Sequence, residues 1–317
     1  MEHAIVTLLG QNDWARSVGK ETSSTSFGIG ALKKDDRVVT MVYPSKYPEK
    51  IWSLLFPISL SESVYLNIVR IDRELGETII ALDLVQKNVG NIHVGPLVDI
   101  SLLGTIIKDT VVENYQNFDP DPALFRETLF EVPIPMVQDG CDVVIDQAFN
   151  VKGVGCVALG FVTRGAVRKH QNLAVYPARK RTIVRSIQVH DRDHEEAPTG
   201  ARVGLALKNI EPEDLPRGSL LTSSDEGLVS SDHHSGRFRV SKYWKEEIPE
   251  GARFHLWNSL QFVPVQLRNI DQGGPGEREI ICDLQLDGQL WVKKGDRLGL
   301  SFLDSKSFRL FAAGESI

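Results

Sequence analysis

Between Phe149 and Leu221 the chain reads FNVKGVGCVALGFVTRGAVRKHQNLAVYPARKRTIVRSIQVHDRDHEEAPTGARVGLALKNIEPEDLPRGSLL. Short apolar-alternating runs are broken by Gly153, Gly155, Gly160, Gly165, Gly200, Gly204 and Gly218. A period of two sends successive side chains to opposite faces of a strand, and closely spaced turn residues fold such strands back on one another. This stretch is therefore constrained to a small β-barrel. Gly153 and Gly155 are read as a bulge or a tight backbone approach.

Upstream, strand-like and helix-like segments alternate. Ala4–Leu9 (AIVTLL) and Arg37–Tyr43 (RVVTMVY) are apolar enough for buried strands, and Ser63–Ile71 and Gly90–Val94 are further candidates. Pro48–Pro57 and Gly76–Gln86 carry helical apolar spacing between breakers, and Asp119-Pro120-Asp121-Pro122 opens a last helix, ALFRETLF. This order predicts a parallel sheet covered on both faces. Pro133 and Pro135 end the helical pattern, which places a boundary near residue 135. Beyond it no helix is expected. Leu221–Gly236 (LTSSDEGLVSSDHHSG) is polar and rich in Ser and Gly, so it predicts a linker or long loop. Phe238–Trp244, Arg253–Trp257, Val263–Ile270, Ile280–Leu286, Arg297–Leu303 and Phe308–Phe311 then predict a second all-β unit, with turns at QGGPGE, LDGQ and KKGD.

A chain of 317 residues, 42% hydrophobic and 25% charged, accommodates two or three ordinary soluble domains. No apolar run approaches the roughly 20 residues of a membrane span, and MEHAIVTLLGQND has no signal-peptide character. No membrane partner is expected. Cys141, Cys156 and Cys282 are too few and too scattered for a disulfide framework or zinc knuckle, which points to a reducing cytoplasm. A net charge of −6 argues against a general nucleic-acid binder, and no DNA partner is expected. The distribution matters more: Gln147–His190 contains no acid but holds Lys152, Arg164, Arg168, Lys169, Arg179, Lys180, Arg181 and Arg185. This block is either a phosphate-facing surface or a solvated barrel face.

The Asp146–Leu221 stretch closely resembles the second domain of translational GTPases of the elongation factor Tu and selenocysteine-specific (SelB-like) group, archaeal versions especially. The crossover RIDRELGETIIALDLV resembles the same family more moderately, and the resemblance is architectural from Arg237 onward. It implies α/β plus all-β architecture: a P-loop-GTPase-like parallel sheet with helices over 1–135, then β-barrels over 136–222 and 223–317. The selenocysteine factor's additional C-terminal domain has no counterpart before Ile317, so reading a selenocysteine signal RNA is not expected. Cys156 stands where the family commonly has Thr.

The family's phosphate loop is altered. Gly10 follows the first strand, but eight residues separate it from Gly19 where four belong, and Glu21 rather than Ser or Thr follows Lys20. Thr22 is one residue too late. Against the family's Asp-x-Pro-Gly-His stand Val42, Tyr43, Pro44, Ser45 and Lys46, which keep only the proline. Against Asn-Lys-x-Asp stand Pro96, Leu97, Val98 and Asp99, which keep only the aspartate. The resemblance thus implies a pseudo-GTPase with no catalytic residue and no resident cofactor. The alternative is a divergent GTPase holding GTP or GDP with magnesium through Gly10, Gly19, Lys20 and Asp99.

In the family the second domain contacts the aminoacylated 3′ end of tRNA and small-subunit ribosomal RNA. Carried onto this chain, that implies a tRNA or ribosome partner engaged by Lys152, Arg164, Arg168, Arg179, Lys180, Arg181 and Arg185. Phe161 and Tyr176, interleaved with them, are read as core or rim packing before stacking platforms. The further alternative is a protein-interaction scaffold in translation or RNA processing. His190-Asp191-Arg192-Asp193-His194-Glu195-Glu196 has metal-ligand residue types, but a charged hairpin rim accounts for it, and no metal site is expected there or at His233-His234. No nucleophile elbow or Cys/His pair appears.

Overall fold

The first apolar run forms β1 (Glu2–Leu9), buried at every position after the first. In the computed structural model, which describes residues 1–24, 26–248, 251–272 and 278–317, β1 is the middle strand of a seven-stranded sheet. The others are β2 (Glu21–Ser24), β3 (Gly28–Lys34), β4 (Arg37–Tyr43), β5 (Ser63–Ile68), β6 (Gly90–Val94) and β7 (Gln116–Asn117), in the order β2-β3-β4-β1-β5-β6-β7. From β4 to β7 all pairings are parallel. The β2–β3 hairpin adds an antiparallel edge, which the apolar pattern did not reveal.

Among the described residues, five α-helices cover both faces: α1 (Asn12–Val18), α2 (Trp52–Leu60), α3 (Arg73–Leu84), α4 (Ile100–Ile107) and α5 (Pro122–Leu129). Ala4, Val6 and Leu8 pack with Phe125 and Leu129 of α5 on one side. Leu54, Leu66, Ile79 and Leu82 pack on the other. Asp72 caps α3 by accepting from Leu75 N at 2.8 Å, and Asp121 caps α5 by accepting from Ala123 N at 2.9 Å. The helix expected to stop at Pro57 continues through it to Leu60. It is buried from Ser53 to Ile58, so packing outweighs a lost backbone hydrogen bond. Neither α1 nor α4 was anticipated.

The glycine-punctuated stretch forms β8 (Cys141–Val151), β9 (Gly155–Arg168), β10 (Asn172–Tyr176), β11 (Lys180–Val189), β12 (Arg192–His194), β13 (Glu196–Pro198), β14 (Arg202–Lys208) and β15 (Leu220–Thr222). Because β10 pairs with both β15 and β11, six of these close into a barrel, β10-β15-β8-β9-β14-β11. Gly165, at φ +65°, is obligatory: a Cβ there would lie 1.9 Å from the Gly140 carbonyl oxygen. Gly153 and Gly155 mark no bulge or close approach. They have positive φ in the β8–β9 turn, and nothing lies within 4 Å of where a Cβ would be.

The expected linker at Leu221–Gly236 is mostly strand. Only 223–227 separates β15 from β16 (Leu228–Val240), which pairs with two strands of the next barrel. The inward positions of β16 include Ser230, His234 and Gly236, so its period of two carries no hydrophobic signal. β17 (Arg253–Asn258), β18 (Gln261–Gln272), β19 (Glu279–Lys293), β20 (Arg297–Ser301) and β21 (Leu310–Ser316) complete the second barrel, closed as β16-β19-β18-β17-β20-β21. The expected QGGPGE turn lies, from Gly273 on, outside the described residues.

The three units are pinned together by specific contacts. Trp291 Nε1 of the second barrel donates to Gly218 O of the first at 2.6 Å, and Lys293 Nζ lies 2.6 Å from Asp142 Oδ2. Phe27 of the α/β unit packs near Phe56 and near Phe161 of the first barrel. Glu77 of α3, 1% exposed, accepts from Arg309 N at 2.9 Å and Arg309 Nε at 3.0 Å, and a further bond comes from Arg309 Nη2. Burial alone would raise the Glu77 carboxyl's pKa, but Arg309 outweighs it and holds the group below the usual range. Removing one partner leaves a buried charge uncompensated. Arg309→Met is therefore expected to cost about 3 kcal/mol in denaturant unfolding, with Glu77→Gln/Arg309→Met recovering part of that loss.

Candidate functional site

At the carboxyl edge of the parallel strands, β1 is flanked by β4 on one side and β5 on the other. Open α/β sheets place their ligands at such an edge. A pocket of about 350 Å³ lies there, with Gly10, Gln11, Pro44, Asn67, Arg70 and Asp72 among its lining residues. Gly10 is held at φ +119°, and a Cβ would meet the Asn67 carbonyl oxygen at 2.3 Å. Only glycine fits, for a packing reason independent of any phosphate.

Only Gln11 separates Gly10 from α1, so the connection from β1 to α1 is two residues long. Gly19 and Lys20 follow the carboxyl end of α1, while a phosphate-binding Gly-Lys belongs at a helix amino terminus. Gly10 and Lys20 are thus at opposite ends of the helix. The carbonyl end is closed by Arg126, whose Nη2 donates to Ser17 O at 2.6 Å. Glu21, in place of the metal-holding hydroxyl, accepts from the Tyr43 hydroxyl and from Arg16 Nε at 3.3 Å.

Carboxylates outnumber cations in the lining of this pocket. Asp13, Asp72 and Glu74 line it, and Arg70 is paired with Asp72. Asp99, expected to read a guanine, caps α4 by accepting from Leu102 N at 3.0 Å, beside Leu97, which is 94% exposed. Among the pocket's residues, only Gly10 comes from the sequence-derived set.

The basic block of the first barrel divides by partner. Arg164 is paired with Asp142 at 2.7 Å, Arg168 with Glu196 at 3.1 Å and Lys180 with Asp214 at 2.7 Å. Arg179 donates to Ser230 O in the second barrel and so bridges the two. Arg181 Nε donates to Asn172 Oδ1 at 3.0 Å, and Arg185 Nη1 to Val154 O at 3.1 Å. Lys152, in the β8–β9 turn, has no side-chain partner among the described residues. Phe161 is fully buried between units, as core packing required, and Tyr176 is half-buried with its hydroxyl 3.1 Å from Asp225 Oδ2.

An aromatic that sequence reasoning missed is Phe149. It is 41% exposed, near Val151 and Val154 on the same hairpin. Register places Phe149 opposite Val157, Val157 opposite Ala206, and Ala206 opposite Ser186, next to Arg185. Lys152, Arg185 and an exposed ring therefore share one rim of the barrel. Outward apolar residues on a hairpin otherwise predicted by alternation were the available signal.

His190 and His194 lie near enough to His3 of the α/β unit to act on its charge, and His190 is acted on by both Lys33 and Asp191. Among the described residues, no group of three or more His, Cys, Asp or Glu is disposed to hold a metal ion. His3, 2% exposed, has its pKa lowered to about 4, first by burial and then by His190, the amino terminus and His194. Its folded pKa lies below the ordinary 6.5, so the unfolded chain binds more protons between those two values. Stability is thus complete above pH 6.5 and declines as pH falls toward 4. Denaturant unfolding at pH 5 should show about 2 kcal/mol less stability from this group than at pH 7.5, and His3→Gln should flatten that slope.

Comparison with known proteins fits this arrangement. A family model described as elongation factor Tu domain 2 matches residues 155–222. Uncharacterized protein MJ0325 of Methanocaldococcus jannaschii is 34% identical over 302 residues, 95% of each chain. The selenocysteine-specific elongation factor of the same organism is 31% identical over 188 residues, covering 55% of this chain and 40% of that one. Elongation factor 1-alpha of Methanospirillum hungatei is 31% identical over 134 residues, 40% of this chain and 32% of that one. These matches span less than half the length of either elongation factor. Among solved structures, translation elongation factor SelB from Methanococcus maripaludis with the GTP analogue GppNHp superposes with a TM-score of 0.80 at 20% identity, over 100% of this chain and 79% of that one.

Proposed function

We propose that this chain, which belongs to the elongation-factor-like family of translational GTPases, is a pseudo-GTPase that binds tRNA or ribosomal RNA through its first barrel. The observation that carries the reading is a division of labour between the two candidate surfaces. The sheet-edge pocket has a two-residue turn and a carboxylate-rich lining, whereas the first barrel presents an exposed ring beside Lys152 and Arg185. A ring stacks on an unpaired base, and the cations meet phosphates. The relatives are named as translation factors, which makes an RNA of the translation apparatus the natural ligand class.

The RNA-facing set is narrowed to Lys152, Arg181 and Arg185 with Phe149. Arg164, Arg168 and Lys180 are neutralised within the barrel, and Arg179 joins the barrels. In a gel-shift titration with bulk tRNA and ribosomal RNA, Lys152→Ala/Arg181→Ala/Arg185→Ala should weaken binding. The log–log salt slope should become shallower by about 0.7–0.9 for each phosphate that is no longer neutralised. Phe149→Ala should weaken binding about tenfold without changing that slope. Retention of full affinity by both variants would remove the barrel rim from consideration.

The nucleotide half has its own measurement. Calorimetry with GTP and GDP, with and without magnesium, is expected to give no binding heat. A saturable heat that Lys20→Ala abolishes would establish the divergent-GTPase reading instead.

A further inference from the structure

Where the three units meet there is a cavity of about 630 Å³, separate from the sheet-edge pocket and from the barrel rim. The α/β unit contributes Ser59 from α2 and Lys87 from the turn after α3. The first barrel contributes Asp142 and Arg164, and the second Lys293, Lys294, Asp296 and Arg297. Its lining holds five cations (Lys87, Arg164, Lys293, Lys294, Arg297) against three carboxylates (Asp142, Glu226, Asp296).

The surplus positive charge is not matched by the protein. Asp142 is already shared between Arg164 Nε at 2.7 Å and Lys293 Nζ at 2.6 Å, with the Thr222 hydroxyl at 2.6 Å. Asp296 accepts from Lys293 N at 2.8 Å and Asn258 Nδ2 at 3.1 Å, and burial raises its pKa. Lys87 is different. Among the described residues its ammonium has neither hydrogen bond nor ion pair, although it is partly buried. Burial pushes its pKa down to about 8, and the charge of Glu62 acts in the opposite direction. A desolvated cation without a counter-charge is costly unless a ligand supplies one. Arg297 donates one N–H to Leu84 O at 2.8 Å and keeps others available, and the Lys294 side chain is exposed.

We infer that this junction is a binding site for a small phosphate-class anion seated against Lys87, Lys294 and Arg297. Several oxygens around one centre suit cations arriving from separate units, and a guanidinium can engage two of them. Because the ligand touches the α/β unit and the second barrel together, it stabilises the assembled arrangement by mass action. The inference does not depend on the barrel rim binding RNA or on the state of the sheet-edge pocket.

Thermal unfolding of the full chain tests it, with inorganic phosphate and pyrophosphate as probes and sodium chloride matched for ionic strength. Phosphate at ten times its dissociation constant should raise the wild-type midpoint by about 2 °C or more over chloride. Lys87→Met, which keeps the apolar stem, should unfold at a higher midpoint than wild type without ligand and lose the phosphate shift. Lys87→Arg should retain the shift. A wild-type midpoint indifferent to both anions would overturn the proposal, as would an equal shift in Lys87→Met. A GDP shift that persists in Lys87→Met bears on the sheet-edge pocket and is read separately.

Discussion

The contact between Glu77 and Arg309 ties the α/β unit to the second barrel. Glu77 is on a helix of the α/β unit, and Arg309 is just ahead of the last strand of the second barrel. The same guanidinium donates to Pro48 O at 2.8 Å and lies over the Tyr47 ring at 5.8 Å. The Tyr47 hydroxyl is 3.1 Å from Glu77 Oε2. One buried ion pair therefore fixes α3, the segment that follows β4, and a barrel about 230 residues downstream. An ion pair out of water is favourable only when its remaining hydrogen-bonding positions are also filled, and here backbone and phenol groups fill them.

That contact bears on the phosphate chemistry. In the family that the chain resembles, the segment after this strand carries the magnesium and water-positioning residues. Here the end of β4 carries Tyr43, buried and bonded to Glu21, and the segment after it carries Tyr47, held against Arg309. Groups that a nucleotide would have to move are engaged in packing. The short turn from Gly10 to α1 is also set by packing, since a Cβ at Gly10 would meet the Asn67 carbonyl oxygen.

The barrels are tied by a second system, in which Asp142 gathers Arg164 and Lys293 beneath Thr222. Burial would raise the Asp142 carboxyl, and these partners together hold it below its usual range. The consequence for function is selective: a basic block that is continuous in sequence is discontinuous in charge. Arg164 and Lys180 face carboxylates, Arg179 spans the barrels, and Lys152 and Arg185 remain beside the exposed Phe149.

The sequence alone determined the order of units, because alternation with glycine turns and alternation of strand with helix are local signals. Ala4–Leu9, Arg37–Tyr43 and the Asp121-capped helix were legible for that reason, as was the first barrel. Polar strand β16 was not, since its inward Ser230, His234 and Gly236 mimic a linker. Helix α1 was hidden inside a stretch resembling a phosphate loop. Which arginines are available, that Phe149 is exposed, and that Lys87 faces a cavity without a counter-charge were decided by the tertiary structure. Charge pairing and burial depend on residues brought together from far along the chain, and no local pattern encodes that distance.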